Sequence, residues 1–240
     1  MSKMSDASNY GGCGLLILLP PSEGKVQEGG EGSLVECESE LVAGVKSVLR
    51  HVSGLSASQR MKFYGLKDEA KSKLCHRLNR KALDAPCMCA MERYSGVVYQ
   101  NLDYETLRNK RKAKSRIHVV SGLFGVIAGG TKIPYYKMPV NTWLARFWKT
   151  ENGERLAAAA GRRPVLSLLP QAYAKAVDLN GAINVDFRVQ GGRKAAGHSG
   201  KAIKGKFVRF LIENDIVSAK DFGEFREEGF RFDGTNFVQK

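Results

Sequence analysis

The first continuous apolar run, Leu15–Leu19, stops at Pro20-Pro21. It has no polar alternation, so it predicts a strand buried on both faces, as in a parallel or mixed sheet. Ile117–Ser121 (IHVVS) and Val165–Leu169 (VLSLL) read the same way. Between them the period lengthens. Leu41, Val45, Val48 and Leu49 predict a helix within Glu40–Leu55, and Trp143, Leu144 and Phe147 share one face of Asn141–Thr150. Over Ser56–Leu78 the punctuation predicts two short helices around a glycine turn, an αα-hairpin. Ser56 or Ser58 would cap the first, Gly65 would end it and Asp68 would cap the second. Ala172–Val177 reads as helical. Ile183–Gln190 alternates, predicting a half-exposed strand. Gly229–Val238 alternates around Asp233-Gly234, predicting an edge hairpin. The stretch GHSGKAIKGKFVRFLIEN reads as a glycine-broken loop running into a helix over Lys201–Asn214, with Ile203, Phe207, Phe210 and Leu211 as its apolar stripe.

Strands and helices interleave without a repeat or a low-complexity linker. The expected fold is α/β (mixed α+β): one domain over residues 13–240 with a mixed sheet and flanking helices, preceded by a loose extension over residues 1–12. No run approaches 18 apolar residues and the first one is too short for a signal-peptide core, so the expected location is the cytoplasm. The five cysteines are odd in number and irregularly spaced, and Cys87-Met-Cys89 lacks the spacing of a zinc knuckle. Reduced, packed thiols are the expectation. His51, His76, His118 and His198 are scattered, so no metal site and no cofactor is expected.

Charge changes the picture more. The chain carries a formal +14, which speaks to partners rather than to fold. The positive residues are clustered. RNKRKAKSR holds Arg108, Lys110, Arg111, Lys112, Lys114 and Arg116 with no acid. Arg193, Lys194, Lys201, Lys204, Lys206 and Arg209 form a second acid-free group, whereas Glu213–Asp233 is rich in carboxylates. A run of like charge reads as a solvated loop or a polyanion site. On a helix starting near Lys201, Lys201, Lys206 and Arg209 face away from the apolar stripe, with Lys204 at its margin. Lysines beside a helix N-terminus are tolerable when an anion neutralises them; the alternative is neutralisation by the acidic tail. DNA, duplex or distorted and bubbled, or a nucleotide is the partner this suggests. No membrane partner is expected, for want of a basic amphipathic helix with a wide apolar face.

Pro20-Pro21-Ser22-Glu23-Gly24-Lys25 follows the first strand, where α/β sheets place ligands. It is not a P-loop: the leading glycine is missing and Val26 stands where Ser or Thr would hold magnesium. Glu23 is a functional carboxylate or a turn residue. Ser121 lacks the glycine of a nucleophile elbow. His198 is a phosphate contact or general acid, or a polar loop residue. Tyr94, with Tyr99, Tyr135 and Tyr136, would stack on bases or fill the core. Glu23, Tyr94, Ser121 and His198 are thus the candidates for chemistry.

LLILLPPSEGK, YSGVVYQNLDYETL, HVVSGLFGVIAGGTKIPYYKMPV, ARFWK, SLLPQAY and GKAIKGKFVRFLIEN, with GFRFD after it, occur in this order. In this combination the chain resembles the YaaA family of peroxide-stress-response proteins from Leu15 onward. The resemblance implies a mixed α/β domain with a helix-hairpin-helix-like element, located by position at Ser56–Leu78. It further implies a basic cleft that binds DNA and a cytoplasmic role in limiting oxidative damage from peroxide and iron. The cleft would include Lys137, Lys201, Lys204 and Arg209; Lys25, Arg108, Lys110 and Arg111 complete the expected phosphate contacts. No secure catalytic activity comes with the family. The alternative is an enzyme acting on a nucleobase, nucleoside or nucleotide, its pocket formed by the Pro20–Lys25 and Gly197–Lys204 loops.

Overall fold

The computed structural model describes residues 14–189, 191–195 and 197–239; the expected extension over residues 1–12 and Cys13 lie outside them. Strand β1 (Leu16–Leu19) opens the described chain. Helix α1 (Leu34–Cys37), closed by a Ser33–Glu36 capping box, precedes α2 (Val42–Ser53), α3 (Ala57–Tyr64) and α4 (Glu69–Arg80). Then come β2 (Cys87–Cys89), α5 (Ala90–Arg93), α6 (Val97–Leu102), α7 (Lys110–Arg116), β3 (Ile117–Ser121), β4 (Gly125–Ala128) and β5 (Lys132–Pro134). The rest is α8 (Thr142–Ala160), β6 (Val165–Ser167), α9 (Gln171–Ala174), β7 (Ile183–Asn184), β8 (Phe187–Arg188), α10 (Gly197–Glu213), β9 (Phe230–Phe232) and β10 (Phe237–Gln239).

The main sheet has the order β4-β3-β1-β6-β7. β1 runs parallel to β3 and β6, β6 runs parallel to β7, and β4 returns antiparallel on β3. The sheet is therefore mixed, as the apolar runs predict. Successive side chains of β1 serve opposite faces. Leu16 and Leu18 pack with Leu156 and Ala160 of α8, while Leu15, Ile17 and Leu19 join the larger core with α2, α6 and α10. β8, β10 and β9 form a second sheet over a phenylalanine cluster in which Phe187 stacks on Phe237 at 4.9 Å. β2 and β5 pair separately.

The hairpin punctuation holds. Ser56 caps α3 in a capping box with Gln59, Gly65 takes φ 66°, and Asp68 caps α4 through the Lys71 amide. The Gly229–Val238 hairpin forms as β9–β10.

Four elements differ from expectation. α10 starts at Gly197, not Lys201, so the supposed Gly197–Lys204 loop is helical. A Cβ on Gly200 would run into the Ala195 carbonyl; that glycine serves close packing rather than a loop. RNKRKAKSR forms α7 instead of a solvated loop, because Asn109 caps it and acids from elsewhere meet its charges. α8 runs on to Ala160. Buried Asn152 does not break it, because its amide accepts from Val126 N (2.6 Å) and donates to the Ala176 carbonyl (2.8 Å). Finally, Ile183–Gln190 divides between two sheets at Asp186, whose backbone pairs with Asn236 and Phe237.

Candidate functional site

The parallel strands β1 and β6 bring their carboxyl ends together, and β1 feeds Pro20–Lys25. The backbone of this loop is held residue by residue. Tyr99 Oη donates to the Pro20 carbonyl (2.8 Å), Lys25 Nζ to that of Ser22 (2.5 Å), and Lys137 Nζ to that of Glu23 (3.0 Å). Ser95 N donates to Gly24 (3.0 Å), and Val26 N to Arg93 (2.9 Å). The buried Arg93 guanidinium then donates to the carbonyls of Val26 (2.7 Å), Gly29 (3.4 Å), Pro86 (3.0 Å) and Ile133 (3.2 Å). A charged group buried this way is tolerable because it is fully hydrogen-bonded.

A cavity opens on each side of the loop. The first, about 340 Å³, lies toward α4 and is lined by Glu23, Lys25, Lys71, Tyr135 and Lys137 among others. The second, about 370 Å³, lies toward α10 and is lined by Ser22, Glu23, Tyr99, Lys201 and Lys204. Pro21, Ser22, Glu23 and Tyr173 face both. Among the described residues, none of Lys25, Lys137, Lys201 and Lys204 is ion-paired.

Lys25 is the most perturbed of the four. Burial, and then the nearby Lys137 charge, push its ammonium down to about 7. Its Nζ stands 4.3 Å over the Tyr136 ring and 5.5 Å from that of Tyr94. Below it the hydroxyls of Tyr94, Tyr136 and Ser121 form a chain, each link 2.8 Å. The amides of Leu123 (3.1 Å) and Phe124 (3.2 Å) donate to Ser121 Oγ. Burial raises both tyrosines above the ordinary phenol range. Lys204 is also lowered by burial, and its Nζ donates to the Leu168 carbonyl (3.3 Å).

A third cavity, about 440 Å³, is lined by Arg60, Lys73, His76, Arg77, Arg80 and Lys81, all cationic or imidazole. Burial first, then Arg60 and Arg80, lowers His76. α4 joins this cavity to the first. Lys71, Leu74, Cys75 and Leu78 line one, and Lys73, His76, Arg77 and Arg80 the other; at 100° per residue these are opposite sides of the helix.

The structure does not bring the whole expected set together. Glu23, Lys25, Lys137, Lys201 and Lys204 converge. Arg108, Lys110 and Arg209 do not. Arg108 pairs with Glu213 (2.5 Å), Lys110 with Glu105 (2.6 Å) and Arg209 with Asp103 (3.6 Å), near the amino ends of β1 and β3. α10 separates the groups: its 17 residues span about 25 Å, with Lys201 near one end and Glu213 at the other. Arg111 lies beside Lys110 on α7 and is exposed. Carboxylates of the acidic tail meet Arg108, Lys112 and Arg116 of the first run and Lys206 of the second but, among the described residues, not Lys201 or Lys204, the lysines for which that alternative was raised. Tyr94 and Ser121 are buried under Lys25 rather than presented to a cavity, and His198 is exposed and lines neither.

Two contributors escaped sequence reasoning. Tyr173, beyond Pro170 at the end of β6, faces both cavities; the Pro that ends an apolar strand was the available signal. Asn79 fixes the Lys137 backbone, and nothing in its surroundings in the sequence marks it. Among the described residues no group of His, Cys, Asp and Glu is arranged to hold a metal ion, and no helix is long and apolar enough to cross a membrane.

The family model described as peroxide stress protein YaaA matches residues 15–236. A UPF0246 protein of Corynebacterium glutamicum (strain R) is 31% identical over 229 residues, 86% of this chain and 89% of the relative. The UPF0246 protein SCO2297 of Streptomyces coelicolor is 34% identical over 218 residues, 82% of this chain and 83% of the relative. A UPF0246 protein of Francisella tularensis subsp. novicida is 25% identical over 157 residues, 58% and 62% respectively.

Proposed function

The chain belongs to the YaaA peroxide stress protein family, and on that premise we propose that it binds DNA and draws one nucleotide unit into the cavities beside Pro20–Lys25. The observation that carries this reading is the meeting of Pro20–Lys25 with Lys201 and Lys204 around Glu23. Unpaired lysines in a concave, partly desolvated site attract phosphate, and Tyr135 and Tyr173 offer stacking faces for a base. The basic cavity on the α3–α4 hairpin supplies a continuation for the backbone on the far side of α4. Such a protein, acting in the cytoplasm, would shield DNA during exposure to peroxide and iron.

A cavity around a carboxylate, rather than an open groove, also favours a nucleobase- or nucleotide-processing enzyme. Taking a base out of the stack serves both readings. Distorted or bubbled DNA, whose bases are already unpaired, is then the preferred partner.

The test is a binding titration with single-stranded, duplex and bubbled DNA at rising salt. With about six phosphates neutralised, affinity is expected to fall roughly a thousandfold or more between 50 and 200 mM salt. Lys201→Ala with Lys204→Ala should remove most binding while leaving the melting temperature nearly unchanged. Salt-insensitive binding, or full binding by the double variant, refutes the reading.

A further inference from the structure

We propose that Lys25 is an amine nucleophile that captures an aldehyde in the cavity between the Pro20–Lys25 loop and α4. The aldehyde would belong to a sugar phosphate, and in DNA that group is the ring-opened C1′ aldehyde of a deoxyribose that has lost its base. The proposal rests on the preceding reading, that this cavity receives a nucleotide unit.

Three observations carry it. Lys25 lines the cavity and, among the described residues, forms no ion pair; one of its protons goes to the Ser22 carbonyl at 2.5 Å. The amine rests on the Tyr136 face at 4.3 Å, an environment that withdraws it from water. Lys137 hangs over the same loop, its Nζ on the Glu23 carbonyl at 3.0 Å. A lysine desolvated beside a second cation is the arrangement that keeps an amine neutral and nucleophilic near neutral pH. Consistently, Lys25 is pushed down to about 7. Lys204 is buried as well, but its Nζ lies on the Leu168 carbonyl, and the second lysine of its cavity, Lys201, is exposed.

The step balances without a further reactant. The Nζ lone pair adds to the carbonyl carbon, and the carbonyl π electrons go to oxygen. A proton passes from nitrogen to that oxygen, giving a carbinolamine. Loss of the oxygen as water then leaves a C=N bond to Lys25. Glu23 lines the same cavity and is the carboxylate available to carry these protons. Lys71 and Lys137 would hold the adjoining phosphate.

Reductive trapping tests this. The protein is incubated with cyanoborohydride and either an oligonucleotide containing one base-free deoxyribose, single-stranded and in a bubble, or glyceraldehyde 3-phosphate. Hydride adds to the imine and leaves a stable secondary amine, read by intact mass and peptide mapping. The expected result is one adduct, on Lys25, formed at least about tenfold faster than on any other lysine. Its rate should rise with a midpoint near pH 7, the value to which Lys25 is pushed. Lys25→Met and Lys25→Arg should abolish it, and Lys110→Ala should not change it. The pH midpoint in the unaltered protein keeps the test decisive if a Lys25 variant fails to fold.

Adduct with the oligonucleotide supports both readings. Adduct with glyceraldehyde 3-phosphate alone supports the amine chemistry but overturns the nucleic-acid reading beneath it. Labelling spread over surface lysines, or no adduct while salt-sensitive DNA binding persists, overturns this proposal and leaves the previous one standing.

Discussion

Asn79 grips the backbone of Lys137 with both ends of its amide. Its Nδ2 donates to the Lys137 carbonyl (2.7 Å) while its Oδ1 accepts from the Lys137 amide (2.8 Å). The same Nδ2 reaches Tyr64 Oη at 3.3 Å. A fully buried residue at the end of α4 thus sets the height of a lysine in the first cavity. Asn79→Ala would leave an amide and a carbonyl of Lys137 without partners, each costing about 1–3 kcal/mol. Urea unfolding should show a loss of about 2–6 kcal/mol, and DNA affinity should fall with it. Unchanged affinity in the folded variant would uncouple Asn79 from the site.

Arg108 and Lys110 lie at the opposite end of α10 from Lys201 and Lys204, so substitutions at the two ends should separate cleanly. Arg108→Ala with Lys110→Ala removes surface ion pairs to Glu213 and Glu105, weak because water screens them, and one hydrogen bond to the Glu213 carbonyl. DNA affinity should stay within about twofold, against a loss of about tenfold or more for Lys201→Ala with Lys204→Ala. Equal losses from both pairs, in titrations at one salt concentration, would contradict the placement of the site.

Gly205 lies where α10 crosses α6. A Cβ there would overlap the Val98 carbonyl and crowd Asn101 and Leu102 N, which are mostly backbone and cannot swing aside. Alanine in a helix interior gains about 1 kcal/mol over glycine, but overpacking costs about 1–3 kcal/mol. Gly205→Ala should therefore lower stability. A higher melting temperature would mean that the helices part more easily than this contact implies.

His118 is buried in β3, and its Nδ1 has no hydrogen-bond partner among the described residues. Burial, with help from the Arg163 charge, pushes it down to about 4. The unfolded chain therefore binds a proton that the native state refuses between about pH 6.5 and 4. Stability from this group is complete above pH 6.5 and drains as pH falls, by up to about 1.4 kcal/mol per unit. His118→Met should shift the acid-unfolding midpoint downward. An unmoved midpoint would show that other groups govern acid unfolding.

Much of the fold was legible because its elements announce themselves locally. Leu15–Leu19 has no face left for water, and Ser56, Gly65 and Asp68 mark helix ends by the hydrogen bonds and the positive φ that they supply. What misled was residues whose partners are remote in sequence. The helix read over Asn141–Thr150 runs on to Ala160 through a buried Asn152 that Val126 and Ala176 satisfy, and Gly200 reads as a loop until Ala195 explains it. The site was half legible. Glu23 and Lys25 stand after a strand, where a ligand belongs, and Lys201 and Lys204 share a helix whose apolar stripe could be counted. Charge density alone chose Arg108 and Lys110 as their companions, and the structure sets these at the far end of α10. A count of lysines does not reveal that Glu105 and Glu213, the latter 105 residues away from Arg108, already meet them.

The clamp on Pro20–Lys25 sets what shape of guest can be received. With its carbonyls held by Tyr99, Lys25, Lys137 and Ser95, the loop is a fixed ridge, and Pro21, Ser22 and Glu23 face the hollows on both its flanks. A molecule occupying both must bend sharply over Pro21–Glu23. Stiff, straight helices pay heavily for such a crease, whereas a loose strand folds over it at little expense.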